Sequence, residues 1–331
     1  MATFAELGRR KAIEQLFEGT SYKPFAEPLY FESRDGDCIT SASVMMLEGV
    51  DFDLVYFPLK HLGYKSVIGV TGELYAVMAH PRTLSVTLGI SAKLDFEQIR
   101  EFWGGVVAAA REHGYNDLSL ELQPSRNGFS ISMNAVGSHS KLVSVRRPKH
   151  HPKDLICVSG SLGAAYLGMQ VRERGKRKFE QGDALQDDIE RYRMLVAAYL
   201  KPELGSGFLT QMEDLQMVPS SGYFIKKSLS DTVLRLSRDS GLGVKIYAEK
   251  IPFEGNSFSL GKDIDVDPIS AAMNGGDDYR LMFTIPILSF EKFRKEFQTF
   301  DIIGHLAQPE AGSVLVTPDG LEHPVSSQGW E

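Results

Sequence analysis

Cysteine is nearly missing from this 331-residue sequence: Cys38 and Cys157 are the only two, and they lie far apart. That scarcity excludes a disulfide framework and a cysteine-rich metal site, and it suits a reducing compartment. Long apolar runs are missing too, so nothing in the chain is of a length to span a bilayer. Residues 1–17 mix charged and apolar side chains without the unbroken apolar stretch of a signal peptide; the expectation is a cytoplasmic protein. The chain also lacks an excess of positive charge. Its formal net charge is −7, which argues against a general nucleic-acid-binding surface, since phosphates need surplus Lys and Arg. No short internal repeat stands out.

What is present is the composition of an ordinary folded protein, 43% hydrophobic and 24% charged. A chain of this length exceeds one ordinary core, and two domains are expected. Basic residues cluster locally, at Arg146-Arg147-Pro148-Lys149 and again between Arg172 and Lys178. Both runs read as solvated, with an arginine available to an anionic ligand as the alternative.

Periodicity outlines the elements. Residues 5–17 have helical spacing, and 22–28 are polar with no clear period. Arg34-Asp35-Gly36-Asp37 reads as a hairpin-type turn before a strand over 38–46. A helix is expected over 59–78, interrupted near Gly69 and Gly72, followed by an alternating strand over 84–90. Residues 95–113 are amphipathic, with Asp95 as cap candidate. Residues 118–122 and 129–136 read as two strands joined through a Pro-to-Gly turn. A second unit starts near Val145: a buried-type strand over 154–159, a helix from Gly160-Ser161-Leu162-Gly163 to about Arg174, and a polar loop over 173–183. Helices at 184–200 and 229–240 follow, then a strand over 243–248 and a Gly/Ser-rich loop over 254–263. Past the turn at 274–279 come a strand over 281–285, a helix over 289–297, and strands near Ile302 and Val314. The alternation of strands and helices favours an α/β or α+β architecture.

The most informative stretch is Asn274-Gly275-Gly276-Asp277-Asp278-Tyr279, which leads directly into a buried-type strand. Glycines allow a tight turn that presents acids beside a strand end, a usual place for a ligand. An acidic surface turn is the plainer reading.

Taken in order, the motifs resemble those of thiamine-monophosphate kinase, in the aminoimidazole ribonucleotide synthetase superfamily. Leu47-Glu48-Gly49-Val50-Asp51-Phe52 is similar to the family's L-x-E-G-V-H-F segment, and the Pro58 to Lys65 stretch to the lead into its first long helix. Asp154-Leu155-Ile156-Cys157-Val158-Ser159-Gly160-Ser161-Leu162-Gly163 resembles its strand-turn-helix. Residues 274–283 resemble its G-G-E-D-Y-E-L-L-F, and Gln328-Gly329-Trp330 its C-terminal end. The resemblance implies an N-terminal ATP-binding and dimerisation domain over 1–144 and a C-terminal α/β domain over 145–331. It further implies a homodimer and phosphoryl transfer from ATP to thiamine monophosphate with magnesium held by aspartates, because that chemistry is mostly positioning and charge neutralisation.

Carried over residue by residue, the acidic positions depart from the family. The early G-D-D-A-A motif falls on residues 25–29, putting Ala26 and Glu27 at its aspartates, and an aspartate four before Glu48 becomes Val44 beside Ser43. Glu73 and Glu121 replace two further aspartates, with Ser119 and Leu120 where glycines belong. Of D-I-S-D-G-L only Asp231 survives, and the histidine after E-G-V is Asp51. Each Asp-to-Glu change lengthens the arm by roughly 1.5 Å, a large displacement against magnesium's strict octahedron. The site implied by resemblance therefore has Glu27, Glu73, Glu121 and Asp231 as metal ligands, with Glu121 and Asp231 the catalytic pair. Ser43, Arg147, Glu73 and Glu121 would meet ATP. Asp51, Asp277, Asp278, Tyr279 and Trp330 would meet the acceptor, and Gly160–Gly163 would form a phosphate cradle. Three functional readings follow: a thiamine-phosphate-kinase-like enzyme of impaired catalysis, an inactive paralogue that binds nucleotide or a protein partner, and a phosphotransferase acting on another small molecule.

Overall fold

The computed structural model describes residues 4–22, 29–33, 36–181 and 186–327. In the first half lie α1 (Phe4–Phe17), β1 (Leu29–Glu32), β2 (Cys38–Leu47), α2 (Leu59–Ala76), β3 (His80–Ser91), α3 (Phe96–Glu112), β4 (Asp117–Ser125), β5 (Ser130–His139) and α4 (Lys141–Arg146). The second half holds β6 (Leu155–Ser159), α5 (Ala164–Gln181), α6 (Gln186–Arg191), α7 (Arg193–Leu200), α8 (Phe208–Asp214), β7 (Ser221–Ile225), α9 (Leu229–Ser240) and β8 (Gly243–Tyr247). It continues with α10 (Ser257–Ile264), α11 (Pro268–Asn274), β9 (Arg280–Ile285), α12 (Phe290–Glu296), β10 (Phe300–Ala307), β11 (Ser313–Val316) and β12 (Glu322–Pro324).

The first sheet runs β1-β2-β5-β3-β4 and the second β12-β11-β8-β10-β6-β9-β7. Every pairing in the first sheet is antiparallel except β3 with β4. Alternation along β2, β3 and β5 buries one face under helices: Val44, Met46, Leu84, Val86, Ile131 and Met133 point inward. Ser43, Met45, Ser85, Thr87 and Ser132 point out and are exposed.

Helix α2 lies between the two sheets and is buried on nearly every side, its polar Lys65, Ser66 and Thr71 included. A helix apolar all round belongs in a core. Contrary to expectation it runs unbroken through Gly69 and Gly72. Those glycines serve close approach: a Cβ on Gly72 would sit 2.2 Å from the Phe224 ring, and one on Gly69 3.0 Å from Tyr279. Aromatic side chains from the second sheet thus rest directly on the helix backbone. The largest core runs through both sheets, joining Val67, Leu74 and Phe102 with Phe208, Phe283 and Phe293. A boundary near Val145 accordingly stays an expectation from sequence.

Other expectations shift in informative ways. Asp95 caps α3 as read, its carboxylate taking the Gln98 amide while the Gln98 side chain returns the bond. The strands over 118–122 and 129–136 are not neighbours, because β3 runs between them. The polar stretch 173–181 is the end of α5, not a loop, since charged side chains on its outer face are compatible with helix. Residues 257–264 likewise form α10. The expected helix over 184–200 is two helices, α6 and α7. Residues 23–28, Arg34 and Asp35 lie outside the described residues, as do Glu27 and Trp330.

Candidate functional site

Three of the five residues between α11 and β9 have left-handed backbones: Gly276 (φ 77°), Asp277 (φ 64°) and Tyr279 (φ 52°). Gly276 has no alternative, since a Cβ there would stand 2.0 Å from the Lys227 carbonyl oxygen. An aspartate and above all a tyrosine in this region are strained, and such strain persists only where the surroundings over-determine it. Each residue is held separately. The Asp277 amide donates to the Lys226 carbonyl at 2.7 Å, and its Oδ2 accepts from Lys65 Nζ at 2.8 Å. Asp278 is buried and accepts from the Gly163 and Ala165 amides at the start of α5, at 2.8 and 3.3 Å. Tyr279 is buried against Gly69 and meets Phe224 edge to face.

Lys65 is the centre of this arrangement. Its side chain has no exposed surface. The ammonium donates to the Tyr199 carbonyl at 2.8 Å as well as to Asp277, and lies 4.1 Å from the Tyr199 ring centroid and 5.3 Å from those of Phe57 and Tyr279. Burial holds its pKa below the usual lysine value, against the opposing pull of Asp277. Asp51 faces the same group. Burial pushes its carboxyl above the ordinary carboxylate range, with the neighbouring Asp277 adding to that and the Leu47 amide at 2.7 Å opposing it.

Around this centre the loop after β2 meets α5. Lys176 pairs with Asp53 at 2.6 Å, Arg172 donates to the Tyr56 carbonyl at 2.8 Å, and Tyr56 donates its hydroxyl to Glu173. On the other side Lys226 Nζ stands 3.8 Å from Glu73 Oε1. The result is a cluster of buried and partly buried charges where the two halves meet, with Asp51 and Asp277 near Lys65 and Glu73 near Lys226.

The sequence-derived site is divided by this geometry. Asp51, Asp277, Tyr279 and Glu73 come together around the two lysines. Asp231 sits in the first turn of α9, behind the Ser228 cap. Glu121 pairs across from Thr87 on β4, on the sheet face opposite α2, and its Oε1 accepts from Gln123 at 2.9 Å. Ser43 shares that outer face, but two strands separate β2 from β4, and its hydroxyl accepts from Asn134 at 2.9 Å. Arg147 is not solvated: it donates to the Pro219 and Val77 carbonyls, both at 3.2 Å, tying the two halves together. Asp278 has both oxygens committed to the amides at the start of α5, so it fills the place assigned to a phosphate at Gly160–Gly163. Within this chain Glu73 and Glu121 thus lie on opposite sides of the first sheet. Among the described residues no three His, Cys, Asp or Glu side chains gather as a metal site would require.

Sequence reasoning missed Lys65, Tyr199, Phe57 and Lys226. Only Lys65 left a signal: a lysine in the interior of a helix otherwise fit for burial requires a buried partner.

No family model matches the chain. Thiamine-monophosphate kinase of Aquifex aeolicus is 23% identical over 284 residues, covering 86% of this chain and 84% of that protein. Carbamoyl dehydratase HypE of Rhizobium leguminosarum bv. viciae is also 23% identical, covering 80% and 74%. Among solved structures, "AaThiL complexed with AMPPCP and TMP" superposes with a TM-score of 0.81 at 20% identity, over 100% of this chain and 98% of that one. The chain has the two-sheet fold of the aminoimidazole ribonucleotide synthetase-like superfamily. Within it, several thiamine-monophosphate kinases are its relatives in sequence, at a distance that leaves the individual activity open to argument from the site.

Proposed function

We propose that this chain is a thiamine-phosphate-kinase-like protein that binds a nucleotide and a small phosphorylated molecule in the cleft around Lys65, Asp277 and Lys226, with phosphoryl transfer to thiamine phosphate severely impaired. One observation carries the reading: the acceptor-side turn at 276–279 is built and braced, while the cleft carboxylates Glu73 and Asp277 face lysines. A strained, over-determined turn is a feature of ligand sites. The curated relatives support a phosphotransferase, and a structural neighbour was solved with an ATP analogue and TMP.

Magnesium needs hard oxygen ligands in near-octahedral array at about 2.0–2.1 Å. The described residues do not fit it: Glu73 faces Lys226, Asp277 faces Lys65, and Glu121 lies across the first sheet. What the side chains can do is hold the acceptor at the 277–279 turn and attract an anion to the lysine-lined wall. The equal identity to a carbamoyl dehydratase favours a second reading, a related reaction on a different small molecule.

The chain is further proposed to act as a homodimer through the outer face of the first sheet, where Met45 is 62% exposed.

The decisive experiment pairs a thermal shift with ATP and a direct assay of thiamine diphosphate formation. A rise in melting temperature with millimolar ATP is expected, since a ligand of the native state stabilises it. Product formation should be slow or nil. Absence of any shift refutes the nucleotide reading, and turnover comparable to an active kinase refutes the impairment.

A further inference from the structure

In the same cleft, and resting on the reading above that a phosphate-bearing ligand enters it, we infer that Lys226 takes the place of a divalent cation: its ammonium meets the ligand's phosphate directly, and binding is independent of metal. The cleft is organised for that role. Lys226 follows β7, and its carbonyl holds the Asp277 amide at 2.7 Å, so its backbone is fixed to the braced turn. Its Nζ is 3.8 Å from Glu73, beyond hydrogen-bond length, and the side chain is 24% exposed. The ammonium's N–H donors are therefore not spent on that carboxylate, and a flexible stem lets them swing to an arriving anion.

Lys65 completes the arrangement from behind. It is wholly buried, bonded to Asp277 and to the Tyr199 carbonyl, and enclosed by three aromatic rings, so it cannot leave. Its charge offsets Asp277 and Asp51, whose carboxylates would otherwise repel a phosphate from this wall. A divalent ion placed beside Glu73 would face the Lys226 ammonium, and like charges at a half-buried site repel strongly. Attraction of an anion therefore falls to Lys226, acting as a compact point charge.

The test titrates the full-length protein calorimetrically with ATP, in magnesium and again in EDTA. Affinities should agree within about threefold, whereas Lys226→Gln should weaken both by about tenfold or more, the loss of one charge-assisted contact. Lys226→Arg, which restores the charge, should recover most of the affinity, and a melting curve establishes that each variant is folded. Manganese alone should show no saturable binding. Loss of ATP binding in EDTA overturns the inference, as does unchanged affinity in folded Lys226→Gln. Saturable manganese binding that Glu73→Gln abolishes overturns it as well. If ATP binds under neither condition, the nucleotide reading falls by itself and inorganic pyrophosphate decides this one. Pyrophosphate bound in EDTA and lost in Lys226→Gln sustains the inference, and no pyrophosphate binding overturns it.

Discussion

Lys65 and Asp277, 212 residues apart in the chain, meet at 2.8 Å in the centre of the molecule. The lysine has no exposed surface and the aspartate is about a third exposed, so the pair joins the buried helix between the sheets to the turn that lines the cleft.

Removing one partner of such a pair strands the other charge. Lys65→Met should therefore lower stability in urea unfolding by about 3 kcal/mol, the low end for a buried pair because Asp277 reaches solvent. The double variant Lys65→Met/Asp277→Asn should recover part of that loss. If the two single losses simply add, the pair is not coupled and its role in bracing the turn is refuted.

The closeness of α2 to the second sheet predicts a steric effect. Gly72→Ala places a methyl 2.2 Å from the Phe224 ring, which cannot be accommodated without movement. A destabilisation of about 1–3 kcal/mol is expected, the usual penalty for overpacking. Phe224→Leu in the same chain should relieve it, read from the melting temperature of single and double variants. No relief would mean that the glycine serves something other than this contact.

Asp278 predicts a pH dependence. Burial lifts its carboxyl to about 7, although the Gly163 and Ala165 amides pull it down. The folded protein then holds a proton that the unfolded chain releases near the ordinary value of 3.8. Its contribution to stability is thus fully present below that value and is lost as pH rises through about 7. Over this window the loss amounts to roughly 4 kcal/mol at most. Asp278→Asn cannot titrate, so the difference between wild-type and variant unfolding free energies should slope between pH 4 and 7 (roughly the window set by linkage). A flat difference would sink the assignment.

Met45 tests the proposed dimer. Met45→Asp puts a charge in the middle of the uncovered sheet face, where it should cost the monomer little, within about 0.5 kcal/mol. Light scattering after size exclusion should show a dimer for the wild type and a monomer for the variant. A dimer that survives the charge would place the contact elsewhere.

Much of the architecture could be read before any coordinates. The capped helix at Asp95, the strand expected over 154–159, the helix over 229–240 and the order of motifs along the chain all correspond to observed elements. Local rules are enough there, because capping, alternation and turn chemistry involve residues a few positions apart. Polarity misleads at 173–181: the charged run continues α5, whose earlier turns pack Ala164, Leu167 and Val171 in one core with Leu195 and Val196 of α7, which charge counting cannot detect. Gly69 and Gly72 look like breaks in the sequence alone because the rings that need them come from residues 224 and 279, far along the chain.

By itself the sequence determined the fold class, the helix and strand content of most segments, and the presence of an acid-bearing glycine turn, since each follows from short-range stereochemistry. Only the tertiary structure decided which charges face one another. That Arg147 spans two carbonyls, that Asp278 caps α5, and that Lys65 and Lys226 answer the cleft carboxylates are consequences of packing one sheet against a helix and that helix against a second sheet. Coulomb and desolvation energies depend on distance in space, and separation along the chain does not encode it.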